Sequence, residues 1–481
     1  MTERGQRSSA AMFEQRYPEY TKTRALDTLR ATDFSRLDRR GDVYLDYTGS
    51  GLYGESQIQA HMDLLSTRVL GNPHSVNPTS QETTGLVEGA RSAVRDFFHA
   101  SPDEYTVIFT PNASGALKLV GEAYPFRVGS HFLLPLDNHN SVNGIREFAR
   151  TKGATTTYLP LTPELRLDEE ELSRHLERHS QDTTGNLFAY PAQSNFSGVQ
   201  HPLEWIGAAQ SKGWDVLLDA AAFVPTNELD LSKWHPDFVS VSFYKMFGYP
   251  TGVGALIARN ETVDKLKRPW FAGGTIHAVS AQGDWHQMLP GGEAFEDGTL
   301  NFLSLPAVQI GLEYVDRIGI PTIHERVTAL TGHLLEQTQQ MTHANGQPLI
   351  EVYGPRTTDR RGATIAFNIL DQQGAIIDER IVDNRSRDRR MSLRSGCFCN
   401  PGAGEAAFHI SHEKVTMQEV QQAPMSMDEY LSTLNLQSAG SIRASLGTVS
   451  NLADAEALLD FIGSFRDNNP YGEPLNPRKN C

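Results

Sequence analysis

Between Thr106 and Ala258 the chain alternates short apolar runs with longer amphipathic segments, and few architectures accept that order. Thr106–Thr110, His131–Leu136, Thr156–Leu161, Leu187–Tyr190 and Val216–Asp219 read as strands, as do the buried runs Phe238–Phe243 and Val253–Ala258. Ser114–Ala123, Val142–Arg150, Asp168–His179 and Pro202–Lys212 read as the helices between them. Such alternation predicts an α/β domain whose mostly parallel sheet is covered by helices. Ligands of such sheets bind beyond the carboxyl ends of the strands. Ser114, His139, Asn195, Asp219 and Lys245 fall at those ends.

After Pro306 the rhythm changes. Long helices over Ala307–Ile318 and Thr322–Met341 precede strands at Ala363–Leu370 and Ser441–Leu446 and a closing helix at Leu452–Phe465. The expected division is a helical arm over 1–43, a large domain over 44–305, a smaller α+β domain over 306–467 and a loose tail over 468–481. Residues 408–440 lack clear periodicity and read as an excursion from the core.

A net charge of −15 speaks against a nucleic-acid or anionic-membrane surface. No apolar run reaches the roughly 18 residues of a spanning helix. The first residues have no apolar core behind them, unlike a secretory signal. Three cysteines do not make a disulfide framework, and a reducing cytoplasm is the simplest placement.

Lys245 ends a buried run and is followed at once by a Gly/Pro/Thr turn. A lysine there is costly while charged, and one that sheds its proton can attack a carbonyl. Asn112-Ala-Ser-Gly115 joins a strand to a helix, so its N–H groups and the Ser114 hydroxyl can seat an anion. Asp219 closes an apolar strand, where it can pair with a protonated ring nitrogen, cap a helix or bind a metal. His139 can stack on a flat ring or act as acid or base. A lysine for an aldehyde, an anion seat and a carboxylate for a pyridinium nitrogen together describe pyridoxal phosphate.

These residues sit in longer strings: Tyr190-Pro-Ala-Gln-Ser-Asn-Phe-Ser-Gly198, Leu218-Asp-Ala-Ala-Ala-Phe223, Ser242-Phe-Tyr-Lys-Met-Phe-Gly-Tyr-Pro-Thr-Gly252, Phe295-Glu-Asp-Gly-Thr299, Leu393-Arg-Ser-Gly-Cys-Phe-Cys-Asn-Pro-Gly402 and Ile442-Arg-Ala-Ser-Leu-Gly447. With them the chain resembles the class V aminotransferase family of fold-type I pyridoxal-phosphate enzymes, and within it the desulfurase domain of molybdenum cofactor sulfurases. The resemblance implies a seven-stranded-type sheet, a homodimer and the following roles. Lys245 bonds the cofactor aldehyde, Asp219 partners the ring nitrogen and His139 stacks on the ring. Ala113, Ser114 and Ser242 contact the phosphate, and Thr299 does so across the subunit interface. Arg443 clamps the substrate carboxylate, and Cys399 carries the persulfide. Common cysteine desulfurases have a histidine before the lysine and a glutamine three residues after the aspartate. Tyr244 and Ala222 stand there instead, which leaves Asn195 as the candidate beside the ring hydroxyl.

Cys397 and Cys399 with His409 and His412 could also be read as a zinc site, but the C-x-C spacing is tight and no metal is expected. Glycine, asparagine and proline around the cysteines suggest an exposed loop in which a thiolate can react. The expected reaction is removal of sulfur from L-cysteine or a derivative, giving alanine and a Cys399 persulfide for a protein or small-molecule acceptor, with Cys397 as a possible relay. The alternative is a C–S lyase, epimerase or aminotransferase that forms no persulfide.

Overall fold

The computed structural model describes residues 3–73, 75–178, 185–411, 413, 426–434, 438, 440–468, 475 and 478. Much of the expected excursion at 408–440 and of the tail lies outside the described residues. Seven strands form one sheet in the order Tyr105–Thr110, Gly254–Arg259, Phe238–Ser242, Asp215–Asp219, Leu187–Pro191, His131–Pro135 and Thr155–Leu159. Gly254–Arg259 runs antiparallel to both neighbours, and the other pairs are parallel. The fold is that of the fold-type I pyridoxal-phosphate enzymes.

The burial pattern explains why these strands read as continuous apolar runs. Along Leu187–Pro191 every residue is buried. Phe188 and Tyr190 enter the core layer that holds Val87, Val94 and Leu312, whereas Leu187 and Ala189 enter the layer of Ala116, Val120 and Ile145. A strand covered on both faces has no polar side to present. The covering helices include Pro78–Phe97 and Leu305–Ile318 on one face and Ala113–Ala123 and Ile145–Thr151 on the other. The single helix expected over Val142–Arg150 is two, Asn140–Asn143 and Ile145–Thr151, which meet at Gly144. A glycine inside a helix costs about 1 kcal/mol relative to alanine, so a break there is cheap.

A second, antiparallel sheet has the order Ile350–Tyr353, Thr364–Ile369, Ser441–Ser445, Arg394–Gly396. Sequence reading missed Ile350–Tyr353 and Arg394–Gly396 because four- and three-residue strands carry too little pattern. It also missed the hairpin Ile276–Ser280/Trp285–Met288, whose residues are half-exposed or exposed and include no continuous apolar run. No helix among the described residues is long and apolar enough to cross a membrane.

The N-terminal helices dock onto the second region through two buried arginines. Arg326, on the helix Ile320–Thr338, donates to the Thr23 hydroxyl and carbonyl, to the Tyr20 hydroxyl and to Asp27, and its guanidinium stacks 4.1 Å from the Tyr20 ring centroid. Arg30, on Ala25–Asp33, pairs with buried Asp454 and with half-exposed Asp38. Asp454 also closes the capping box of the helix Leu452–Gly463. Replacing Asp454 by Ala should therefore destabilise the chain by about 3 kcal/mol, because it strips a buried cation of its better partner. Chemical denaturation measures the loss, and faster amide exchange over 25–33 would locate it at the arm.

Candidate active site

The carboxyl ends of the central strands open onto a cavity of about 160 Å³. Asp219, the last residue of its strand, is 9% exposed. Its Oδ1 accepts from the Ser240 hydroxyl at 3.0 Å and from the Ala221 N–H at 3.1 Å. Its Oδ2 takes no hydrogen bond from the described residues, and Asp219 lines the cavity. Lys245 lines the same cavity, carried by the short helix Phe243–Phe247 that follows the strand Phe238–Ser242. Burial holds its amine below the ordinary lysine range. Asp219 and Cys399 oppose that shift, and the Arg443 and Arg394 cations add to it. The loop at 48–51 lies directly on this helix. The Gly51 N–H donates to the Tyr244 carbonyl at 3.0 Å, and a Cβ on Gly51 would come within 2.8 Å of the Lys245 carbonyl oxygen.

Opposite lies the start of the helix Ala113–Ala123. Asn112 caps it by accepting from the Gly115 N–H, and the Ala113 N–H donates to the Ser242 hydroxyl at 2.8 Å. The Ser114 hydroxyl shares a 2.6 Å hydrogen bond with that of Ser141. Ser141, which sequence reading did not single out, thus joins the hydroxyl-rich end of the cavity. His139 Nδ1 accepts from the Ser141 N–H at 3.1 Å, which puts the hydrogen of the neutral ring on Nε2. Burial also pushes its pKa down, against the pull of Asp219. Tyr244 lines the cavity beside Lys245, and burial raises its phenol.

Arg443, on the strand Ser441–Ser445, is 2% exposed. Its Nη1 donates to the Asn195 carbonyl at 2.9 Å and its Nη2 to Asp46 Oδ1 at 3.0 Å, while its buried Nε has no partner. Burial lowers its pKa to about 10, with Asp46 working the other way. Arg394 clasps the same carboxylate from the neighbouring strand. Asp46 and Arg394 were missed as site residues. The string around Asp46 signalled only the start of the ordered body, and Arg394 is placed by strand pairing.

The loop after Arg394–Gly396 carries the cysteines. Phe398 and Cys399 both have φ of 55°, a left-handed conformation that costs a non-glycine residue about 1–2 kcal/mol. Several hydrogen bonds hold it. The Asn140 N–H donates to the Cys399 carbonyl at 2.6 Å, and Asn195 Nδ2 to the Phe398 carbonyl at 2.8 Å. Asn400 Nδ2 donates to the Asp137 carbonyl at 2.7 Å and to Asn195 Oδ1 at 2.9 Å. The buried Phe398 ring packs against Phe196 and lies 4.7 Å from the Arg443 guanidinium. Cys399 itself is exposed with a free thiol, whereas Cys397 is disulfide-bonded. The Cys399 thiol is close enough that a thiolate there would favour the charged forms of Lys245 and Arg443.

The structure thus gathers Ala113, Ser114, His139, Asn195, Asp219, Ser242, Tyr244 and Lys245 around one cavity, with Arg443 and Cys399 in electrostatic reach of Lys245. The side-chain amide of Asn195 is engaged at both ends by the cysteine loop. Thr299 is exposed and lines other clefts, where it accepts from Asn72 Nδ2 at 3.3 Å. His412, named with His409 in the zinc reading, lies outside the described residues.

The family model described as Aminotransferase class-V matches residues 43–458. Molybdenum cofactor sulfurase of Bos taurus is 38% identical over 94% of this chain and 53% of its own length. The Arabidopsis thaliana sulfurase is 34% identical over 93% of this chain and 58% of its own. The chain therefore spans about half the length of the curated relatives it matches. Among solved structures, the cysteine desulfurase of Thermococcus onnurineus superposes with a TM-score of 0.73 at 25% identity, covering 91% of this chain and 97% of that one. A cysteine desulfurase of Escherichia coli superposes at 0.69 with 19% identity, covering 91% and 98%, a likeness of fold.

Asn400→Ala removes the donor to both the Asp137 carbonyl and Asn195 Oδ1. Hydrogen exchange of the Asn140 amide, which is bonded to the Cys399 carbonyl, should then quicken by about tenfold or more, the kinetic equivalent of one lost net hydrogen bond.

Proposed function

Because the chain belongs to the aminotransferase class-V family, we propose that it binds pyridoxal phosphate and uses it to move sulfur from L-cysteine to Cys399. The observation that carries this reading is the exposed Cys399 thiol in electrostatic reach of a half-buried Lys245 whose amine is held below the ordinary lysine range. The cavity fits the cofactor. The uncommitted Asp219 Oδ2 suits a protonated ring nitrogen, and Lys245 suits an aldehyde. The start of the helix Ala113–Ala123, with Ser114, suits a phosphate. When bound, pyridoxal phosphate supplies a carbonyl for the substrate amine and an electron sink for charge at Cα.

The protein's own groups do the rest. Arg443 offers the N–H groups that its bonds to Asn195 and Asp46 leave on Nη1 and Nη2 to the substrate carboxylate. Lys245, whose basicity desolvation lowers, is placed at the cavity to take the Cα proton. His139, neutral with hydrogen on Nε2, covers the ring face and excludes water. Cys399 Sγ, as thiolate, attacks the substrate sulfur. An S–S bond forms as the Cβ–S bond breaks, the electron pair passes to Cβ, which takes up a proton, and Lys245 returns its proton to Cα to complete L-alanine. The outer sulfur stays on Cys399 for a protein or small-molecule acceptor.

The proposal includes a homodimer in which exposed Thr299 reaches the partner's phosphate seat. The exposed Trp270, Phe271, Val279 and Trp285 give such an interface apolar surface to cover. It also takes 44–305 and 306–467 as the cofactor-binding and cysteine-bearing domains.

Mass spectrometry of the Cys399 peptide after incubation with L-cysteine should find the added mass of one sulfur. Cys399→Ser should lower alanine production by roughly two orders of magnitude or more while the bound cofactor's absorbance persists. Undiminished turnover by that variant would instead support a C–S lyase.

A further inference from the structure

Gln193 has an amide with one end spent and the other free. It follows the strand Leu187–Pro191, is 3% exposed and lines the Lys245 cavity. Its Oε1 accepts from Gln200 Nε2 at 3.1 Å and more weakly from Asn227 Nδ2 at 3.5 Å. Asn227 Nδ2 is itself oriented by the Phe223 carbonyl at 2.9 Å and the Thr226 hydroxyl at 3.1 Å. Two amide donors converging on one atom fix that atom as the oxygen. Nε2 is then a donor, and it has no partner among the described residues. Nor is it sealed from solvent, and Gln193 lines both the cavity and the smaller cleft that adjoins it at Ala221, Ala222 and Lys245.

The geometry of a pyridoxal ring gives this donor a task. The phosphate arm and the phenolic oxygen sit on the two carbons that flank the aldehyde-bearing carbon. With the ring nitrogen toward Asp219, the aldehyde toward Lys245 and the phosphate toward Ser114, the phenolic oxygen faces the wall away from Ser114. Tyr244 stands beside Lys245, and Leu117 on the helix that begins at the phosphate end, so the residues left to make that wall are Pro191, Gln193, Asn195, Ala221 and Ala222. Two of them carry polar side chains. Asn195 has both ends of its amide engaged by Phe398 and Asn400. Gln193 has a donor to give.

We propose that Gln193 is the cofactor-binding residue that donates to the phenolic oxygen, an assignment that rests on the pyridoxal-phosphate reading above. Asn195, expected from the sequence to fill that place, serves the cysteine loop instead. A donor on the phenolate draws off negative charge. The nitrogen that joins the cofactor to Lys245 thereby becomes less basic, because its proton is held by that same oxygen.

The test is a pH titration of the visible absorption band of the cofactor-loaded protein. Gln193→Leu should raise the midpoint by about one to two pH units, the equivalent of one hydrogen bond to a charged group. Adding Ala222→Gln, which moves an amide to the neighbouring wall position, should bring the midpoint back toward the original value. Gln193→Glu keeps the side chain's shape, and its carboxylate should raise the midpoint at least as far. An unchanged midpoint in the loaded Leu or Glu variant overturns the assignment, as does a shift produced by Asn195→Ala and not by Gln193→Leu. A native protein without any visible cofactor band overturns the pyridoxal-phosphate reading itself, and this assignment with it.

Discussion

One buried guanidinium, that of Arg443, ties together three parts of the chain that are remote in sequence. It lies on a central strand of the smaller sheet, bonds the carboxylate of Asp46 near the start of the body, and bonds the carbonyl of Asn195 in the loop after a central strand of the larger sheet. Burying such a cation costs several kcal/mol unless partners offset the lost hydration. Here the offset is incomplete, as the pKa of about 10 and the unpartnered Nε record. Strand pairing adds a further demand. Arg394 stands directly across from Arg443, and like charges at opposed positions repel. Asp46 accepts from both, so one carboxylate relieves the repulsion and leaves the cluster with a net positive charge beside the cavity.

The same junction sets the cysteine. Phe398 lies against the Arg443 guanidinium, and its carbonyl is held by Asn195. Consecutive left-handed residues at 398 and 399 would relax if free. Bonds from Asn140, Asn195 and Asn400 over-determine them. The thiol is therefore exposed on a backbone that is pinned. The helix Pro401–Ala407, capped by Asn400, continues the same arrangement, so one side chain closes the loop and starts the helix.

Lys245 gains its unusual basicity from the larger sheet. The strand Phe238–Ser242 is buried throughout, and the short helix that follows carries the half-buried Lys245 to the cavity at the sheet's edge. Asp219, one strand over, moderates the shift, and the pairing of Asp219 with Ser240 in the parallel ladder fixes that relation. Carboxylate, amine and helix start converge because the strands that precede them run the same way in the sheet and end at one edge.

The strand-and-helix alternation from Thr106 to Ala258, the lysine after a buried run, the aspartate at a strand end and the Asn-capped helix start were all legible as residues in order. Each depends on periodicity or on chain neighbours within a few positions, which the amino-acid sequence carries directly. So were the strings around Cys399 and Arg443, as a resemblance. Tertiary structure alone decided what depends on cross-strand register and on competition between side chains. It set Arg394 across from Arg443 with Asp46 between them, and it brought Ser141 to Ser114. It committed the Asn195 amide to the cysteine loop while leaving one end of Gln193 open. Two amides two residues apart look equivalent in a sequence. Only the positions of their partners, 7 and 34 residues away for Gln193 and more than 200 for Asn195, distinguish a satisfied hydrogen bond from a free one.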